Sequence, residues 1–204
     1  LSACSDNATF LSADDLRINL WPIDLFDGNY KQVYNLVDLK PSTIEELTEV
    51  ITAACFHPSH CNLFGYSTSK GAVRLGDMRL SALCDRASTT FGSSSGVPQT
   101  GPNGTFFTEI VQSVSDLKFY GDHLVAARDY LSVKVWDGRR PDIPVSTIPV
   151  HDQTIRQRLC DLYENDCIFD RFRLSWSHDG RQIVSGSYGD TAKAMDINAG
   201  GVFT

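Results

Sequence analysis

The densest run of potential metal ligands is Cys55-Phe56-His57-Pro58-Ser59-His60-Cys61. Alternation along a strand puts Cys55 and His57 on one face, with His60 and Cys61 beyond the turn at Pro58. A structural zinc needs four ligands converging as separated pairs, commonly Cys-x2-4-Cys with a distant second pair. Strand and proline splay these four apart, so the run reads as structural, with His57 hydrogen-bonded inside its own sheet. Gly76-Asp77 and Gly121-Asp122-His123 are like fragments of two-metal hydrolase sites. Such sites need several more converging ligands, and the Asn-His and Asp-Arg-Gly strings that supply them are missing. Neither a Gly-x-Ser-x-Gly elbow nor a phosphate-binding P-loop occurs. The residues predict no catalytic centre, no metal and no cofactor.

Composition narrows the classes further. The 204 residues allow one large domain or two small ones, and 42% hydrophobic with 21% charged residues is ordinary globular material. No apolar run approaches the ~20 residues of a membrane span. A net charge of -7 disfavours a phosphate-backbone binder, so neither membrane nor nucleic acid is an expected partner. The surface suits basic partners instead. The chain opens Leu1-Ser2-Ala3-Cys4 with no visible signal peptide, and both ends look cut. Six cysteines without regular spacing fit a reducing compartment, cytoplasmic with the nucleus as a second location. The sequons at Asn7 and Asn103 would matter only in a secreted protein.

The elements that must position any site announce themselves as a weak repeat. Residues 11–21, 66–77, 126–137 and 185–196 each pass from small residues through a turn into an alternating strand, with Trp21, Gly76, Trp136 and Met195 in the equivalent place. The separations are 76−21 = 55, 136−76 = 60 and 195−136 = 59, longer than the ~40–45 residues of a standard WD40 blade. Lys70-Gly71 and Gly189-Asp190 supply tight turns. Val133 and Val135 alternate with Ser132 and Lys134, which predicts one apolar and one polar sheet face. Further strands precede the echoes at 50–56, 114–119 and 172–176, and the chain turns after two of them, at His57-Pro58 and at His178-Asp179-Gly180. The order is a propeller-blade signature, so the expected fold is all-β and a WD40-type β-propeller, with an all-β sandwich of accidental periodicity as the alternative. One short helix is expected at 43–49, opened by a Ser42–Glu45 capping box, with Ile44 and Leu47 on one face. The low-complexity stretch 92–104 reads as a flexible surface loop.

Several strings are more specific than a blade pattern. They are 10–21, with Ser12-Ala13-Asp14-Asp15-Leu16-Arg17-Ile18-Asn19-Leu20-Trp21; 45–54; 82–86; 128–137; and 162–170, with Tyr163-Glu164-Asn165-Asp166-Cys167-Ile168-Phe169-Asp170. Together they resemble the B-type, 55 kDa WD40 regulatory subunits of protein phosphatase 2A over essentially the whole chain, fading at 22–32, 92–104 and after Asp196. That resemblance implies about half of a seven-bladed propeller filling 1–204, roughly three blades plus the end of another, without the arm that grips the scaffold. It implies a non-catalytic subunit that joins a phosphatase scaffold subunit and a catalytic subunit. Phosphoprotein substrates with short helical or basic segments would lie in an acidic groove on the top face. The groove positions that match are Asp15, Ile44, Glu45, Leu47, Glu164, Asp166, Phe169 and Arg171, with the Phe106-Phe107 pair structural first and groove-lining second. Ile44 and Leu47 would form an apolar ledge, and the carboxylates would pair with ligand Lys or Arg. Ile44 stands where the family usually has Met, and Arg171 where it has Lys, a stiffer contact and a forked cation. The alternative is a propeller that scaffolds a different complex with no phosphatase.

Overall fold

The structure, a computed structural model, describes residues 1–23, 33–84, 86–92, 104–151, 158–198 and 202–203. Among these the chain forms four antiparallel meanders of four strands each. The first holds β1 (Ser2–Ala3), β2 (Thr9–Ala13), β3 (Arg17–Pro22) and β4 (Tyr34–Asp38). The second holds β5 (Ile51–Phe56), β6 (Leu63–Thr68), β7 (Val73–Asp77) and β8 (Thr89–Phe91). The third holds β9 (Asp116–Tyr120), β10 (Leu124–Arg128), β11 (Ser132–Asp137) and β12 (Ser146–Pro149). The fourth holds β13 (Leu174–Trp176), β14 (Gln182–Ser187), β15 (Thr191–Asp196) and β16 (Val202–Phe203). The two-residue strands β1 and β16 bring the first and fourth sheets to four strands each.

The core is divided into three layers, each between sequential sheets. Leu11, Ile18 and Val37 of the first sheet meet Ile51, Phe56 and Phe64 of the second. Cys55, Val73 and Phe91 meet Leu117, Val125, Ala127 and Trp136. Ala126, Val133, Val135 and Ile148 meet Leu174, Ile183 and Met195. The third sheet is thus apolar on both faces. Val133 and Val135 point one way while Trp136, paired across to Val125, points the other. The expected polar face of β11 is the one part of that reading to be corrected: Ser132 is buried too, its amide and hydroxyl both held by the Asp129 carboxylate.

Trp21, Gly76, Trp136 and Met195 all take the penultimate place in their strands. At Gly76 the space a side chain would fill is occupied by the ring of its cross-strand partner Phe64. The two tight turns form as the sequence predicts, with φ of 81° at Gly71, 76° at Gly189 and 56° at Asp190. At the other end of the strands, Asp77 and Asp137 each receive the amide N–H of the residue two along, Arg79 and Arg139, and a forked guanidinium from the same side chain. The arginine beside it holds each carboxyl below its ordinary range.

The helix expected at 43–49 is a single 3-10 turn, Ile44–Glu46, whose N-cap is Thr43 and which has no side-chain cap bond. The Ser42–Glu45 capping box does not form; one turn leaves too few orphan amides for it to satisfy. Two helices were not expected: α1 (Gly104–Gln112) and α2 (Leu159–Glu164). All but the two ends of the expected 92–104 loop lies outside the described residues. None of the six cysteines is disulfide-bonded.

Candidate interaction rim

Each meander has its second-to-third strand turn, and each of the first three the described ends of its link to the next sheet, at the same end of the stack. Main-chain bonds tie these pieces together. Ile51 N–H donates to the Asp15 carbonyl (2.8 Å), joining the β2–β3 turn to the end of the first link. Ser69 N–H donates to Val50 O (2.9 Å), and Tyr130 N–H to Val111 O (3.1 Å) at the end of α1. Val150 N–H donates to Leu131 O (2.9 Å), where the third link departs. All eight groove positions fall on these turns and links. Asp15 caps the β2–β3 turn; Ile44, Glu45 and Leu47 lie on the first link; Glu164, Asp166, Phe169 and Arg171 lie on the third. Asp15 and Asp166 therefore project from the same end, and each is exposed.

The turns are shaped by their own carboxylates. Asp14 Oδ1 accepts the N–H groups of Leu16 (2.8 Å) and Arg17 (2.7 Å), which leaves Asp15 pointing outward at the apex. In the third sheet Asp129 does the same for Leu131 (2.9 Å) and Ser132 (2.6 Å), and pairs with Lys134 at 3.0 Å. Asp166 sits in the left-handed region at φ 59°, between α2 and the 3-10 turn Cys167–Phe169. Ile44 is 91% exposed, Phe169 54% and Leu47 40%, so the apolar contacts offered are small and separate.

A cleft of about 360 Å³ opens beside them, between the β6–β7 turn, α1 and residues 168–172. Of the eight groove positions it gathers Phe169 and Arg171; the other six lie off its lining. Its walls add Lys70, Glu109, Tyr130, Asp170 and Phe172, which sequence reasoning did not select. A signal for two of them existed: Lys70 and Tyr130 stand six residues before Gly76 and Trp136, as Asp15 stands six before Trp21.

Two tiers of rings support this side. In the upper tier Phe107 meets Tyr163 edge-on (6.0 Å, 88°) and Tyr163 meets Phe169 (5.8 Å, 60°). In the lower tier Tyr188 packs on Phe172 (5.1 Å, 90°), His151 (5.2 Å) and Tyr130 (6.3 Å). Arg128, almost fully buried, lies over Phe172 at 4.9 Å and donates to Ser185 Oγ of the next sheet. Burial brings its guanidinium down to about 10, still charged at neutral pH.

The Cys55–Cys61 run is likewise occupied with structure. His57 Nδ1 accepts the N–H groups of Ser59 and His60 (3.2 Å each), so Nε2 carries the proton and donates to Asp122 O at 3.2 Å. That last bond corrects one expectation: it crosses to the third sheet rather than staying within the second. Among the described residues no group of three or more His, Cys, Asp or Glu side chains is arranged to hold a metal, and no helix is long and apolar enough to cross a membrane.

Four stacked meanders with their links gathered at one end define a class: a sector of a WD40-type β-propeller. A 55 kDa regulatory subunit of protein phosphatase PP2A from Drosophila melanogaster is 50% identical to the chain over 200 residues, 98% of this chain and 38% of the relative. That relative is named as a regulatory subunit, and the likeness to it runs through nearly the whole of this chain. It spans well under half the length of the curated relative it matches. No family model matches it.

Proposed function

We propose that the protein acts as a substrate-recruiting regulatory subunit of a serine/threonine phosphatase, working in the cytoplasm with a scaffold and a catalytic subunit. The observation that carries this reading is the 50% identity to a PP2A regulatory subunit across 98% of the chain. The rim supports it. Asp15, Glu45, Glu164 and Asp166 offer exposed carboxylates to a basic segment, which favours fast and selective encounter over tight binding. Leu47, Ile44 and Phe169 offer separate apolar contacts for a short amphipathic helix.

Charge variants test the reading. Asp15→Lys tolerates its exposed turn, and Asp166→Asn removes a charge while keeping a residue that accepts the left-handed backbone. Together they should weaken binding of a basic helical phosphopeptide by about tenfold or more, roughly 1.4 kcal/mol or above, with the melting temperature unchanged. Unaltered affinity would remove the rim as the recruiting surface. Co-purification of the full-length protein without scaffold or catalytic subunit would favour a propeller serving another complex.

A further inference from the structure

We propose that the Tyr188 hydroxyl, backed by Tyr130, is a positioning device for the link that carries Glu164, Asp166, Phe169 and Arg171. The inference rests on the reading of this rim as the substrate surface. Tyr188 belongs to the turn between β14 and β15, and its hydroxyl donates to the carbonyl of Cys167. Cys167 is the first residue of the 3-10 turn and follows Asp166 directly. The bond therefore lands at the hinge between α2 and the segment that presents Phe169 and Arg171.

Between Tyr163 and Asp170 the other main-chain bonds are internal to the link, and past Arg171 the Phe172 carbonyl accepts from Ser115 Oγ at 3.0 Å. Asp166 N–H donates to Tyr163 O, Phe169 N–H to Asp166 O, and Asp170 N–H to Cys167 O. Such bonds fix the shape of the link without fixing where it sits. Beneath them, the buried side chain of Ile168 gives an apolar seat but little direction. A hydrogen bond from a turn of the fourth sheet supplies direction. Tyr188 can aim it because its ring is held on three sides by Phe172, His151 and Tyr130.

Tyr130 completes the device. Its hydroxyl donates to the Tyr188 oxygen at 3.1 Å, which commits the Tyr188 proton to Cys167. Its backbone N–H holds Val111 at the end of α1. One pair of residues on adjacent turns thus registers the second link against the third, and α1 in turn places Phe107 against Tyr163. Burial raises the pKa of both phenols, so both remain protonated donors across the physiological range.

Tyr188→Phe keeps the ring and deletes the hydroxyl. In the assembled phosphatase, the KM for a basic helical phosphopeptide should rise about threefold to tenfold, as for loss of one oriented hydrogen bond. Its kcat and the turnover of p-nitrophenyl phosphate, which needs no rim, should stay unchanged. Tyr130→Phe should act in the same direction and more weakly, and it reports even if the first variant folds poorly. Wild-type KM in both Tyr variants, with KM raised by Asp15→Lys and Asp166→Asn, would overturn the positioning role alone. Wild-type KM in all of them would overturn the rim reading and this inference with it.

Discussion

A buried imidazole with both nitrogens engaged is sensitive to acid, and His57 is such a group. Burial holds its pKa below the ordinary 6.5, with the His60 ring nearby acting in the same direction and the Asp122 carbonyl opposing. The folded state therefore binds this proton less readily than the unfolded chain. The stability tied to the neutral ring is complete above pH 6.5 and is lost as pH falls through 6.5 toward the lower folded value. The urea midpoint should drop between pH 7 and pH 5, and drop less in His57→Gln; parallel profiles for the two proteins would refute the assignment. Residue type alone made the Cys-His run look like a metal cluster. The turn at Pro58 was legible, and the structure ends β5 at Phe56 just before it. The reach of Nε2 to Asp122, 65 positions away, was not, because no local rule specifies which turn of the next sheet lies opposite.

Turns are the elements that the amino-acid order states most clearly. Asp14 and Asp129 both lie seven residues before the equivalent tryptophans, Trp21 and Trp136, and both close the same turn with the same carboxylate oxygen. Asp129 is the more buried and also anchors Lys134. Asp129→Ala should destabilise the protein by about 1–3 kcal/mol, since two amides and a hydroxyl lose their acceptor. Asp129→Asn should recover part of that, because one side-chain oxygen remains. A denaturation series in which both variants match wild type would count against the turn as a source of stability. Helices were less legible for physical reasons. α1 (Gly-Thr-Phe-Phe-Thr-Glu-Ile-Val-Gln from 104 to 112) is rich in residues that favour strands and starts at a glycine. α2 is six residues long, below the length at which periodicity can be read. The supposed capping box at Ser42 had the right letters but no helix long enough to need it. Of the rim, the exposed carboxylates were accessible through resemblance, whereas the supporting rings depend on contacts between separate sheets. Tyr130 and Tyr188 were missed for that reason.

The molecule as a whole is a stack in which each core layer belongs to two neighbouring sheets. Leu117, 1% exposed between the second and third sheets, should cost about 2–5 kcal/mol when changed to alanine. Ile143, 73% exposed in the loop between β11 and β12, should tolerate the same change within about 0.5 kcal/mol. Equal losses at the two sites in chemical denaturation would contradict the layered core. The links leave from one end and are tethered to the turns there mainly through backbone groups. Backbone tethers are indifferent to side-chain identity. Mutation can therefore rewrite the surface chemistry of that end while the frame beneath keeps its architecture, so the scaffold can vary what it displays there without relearning how to fold.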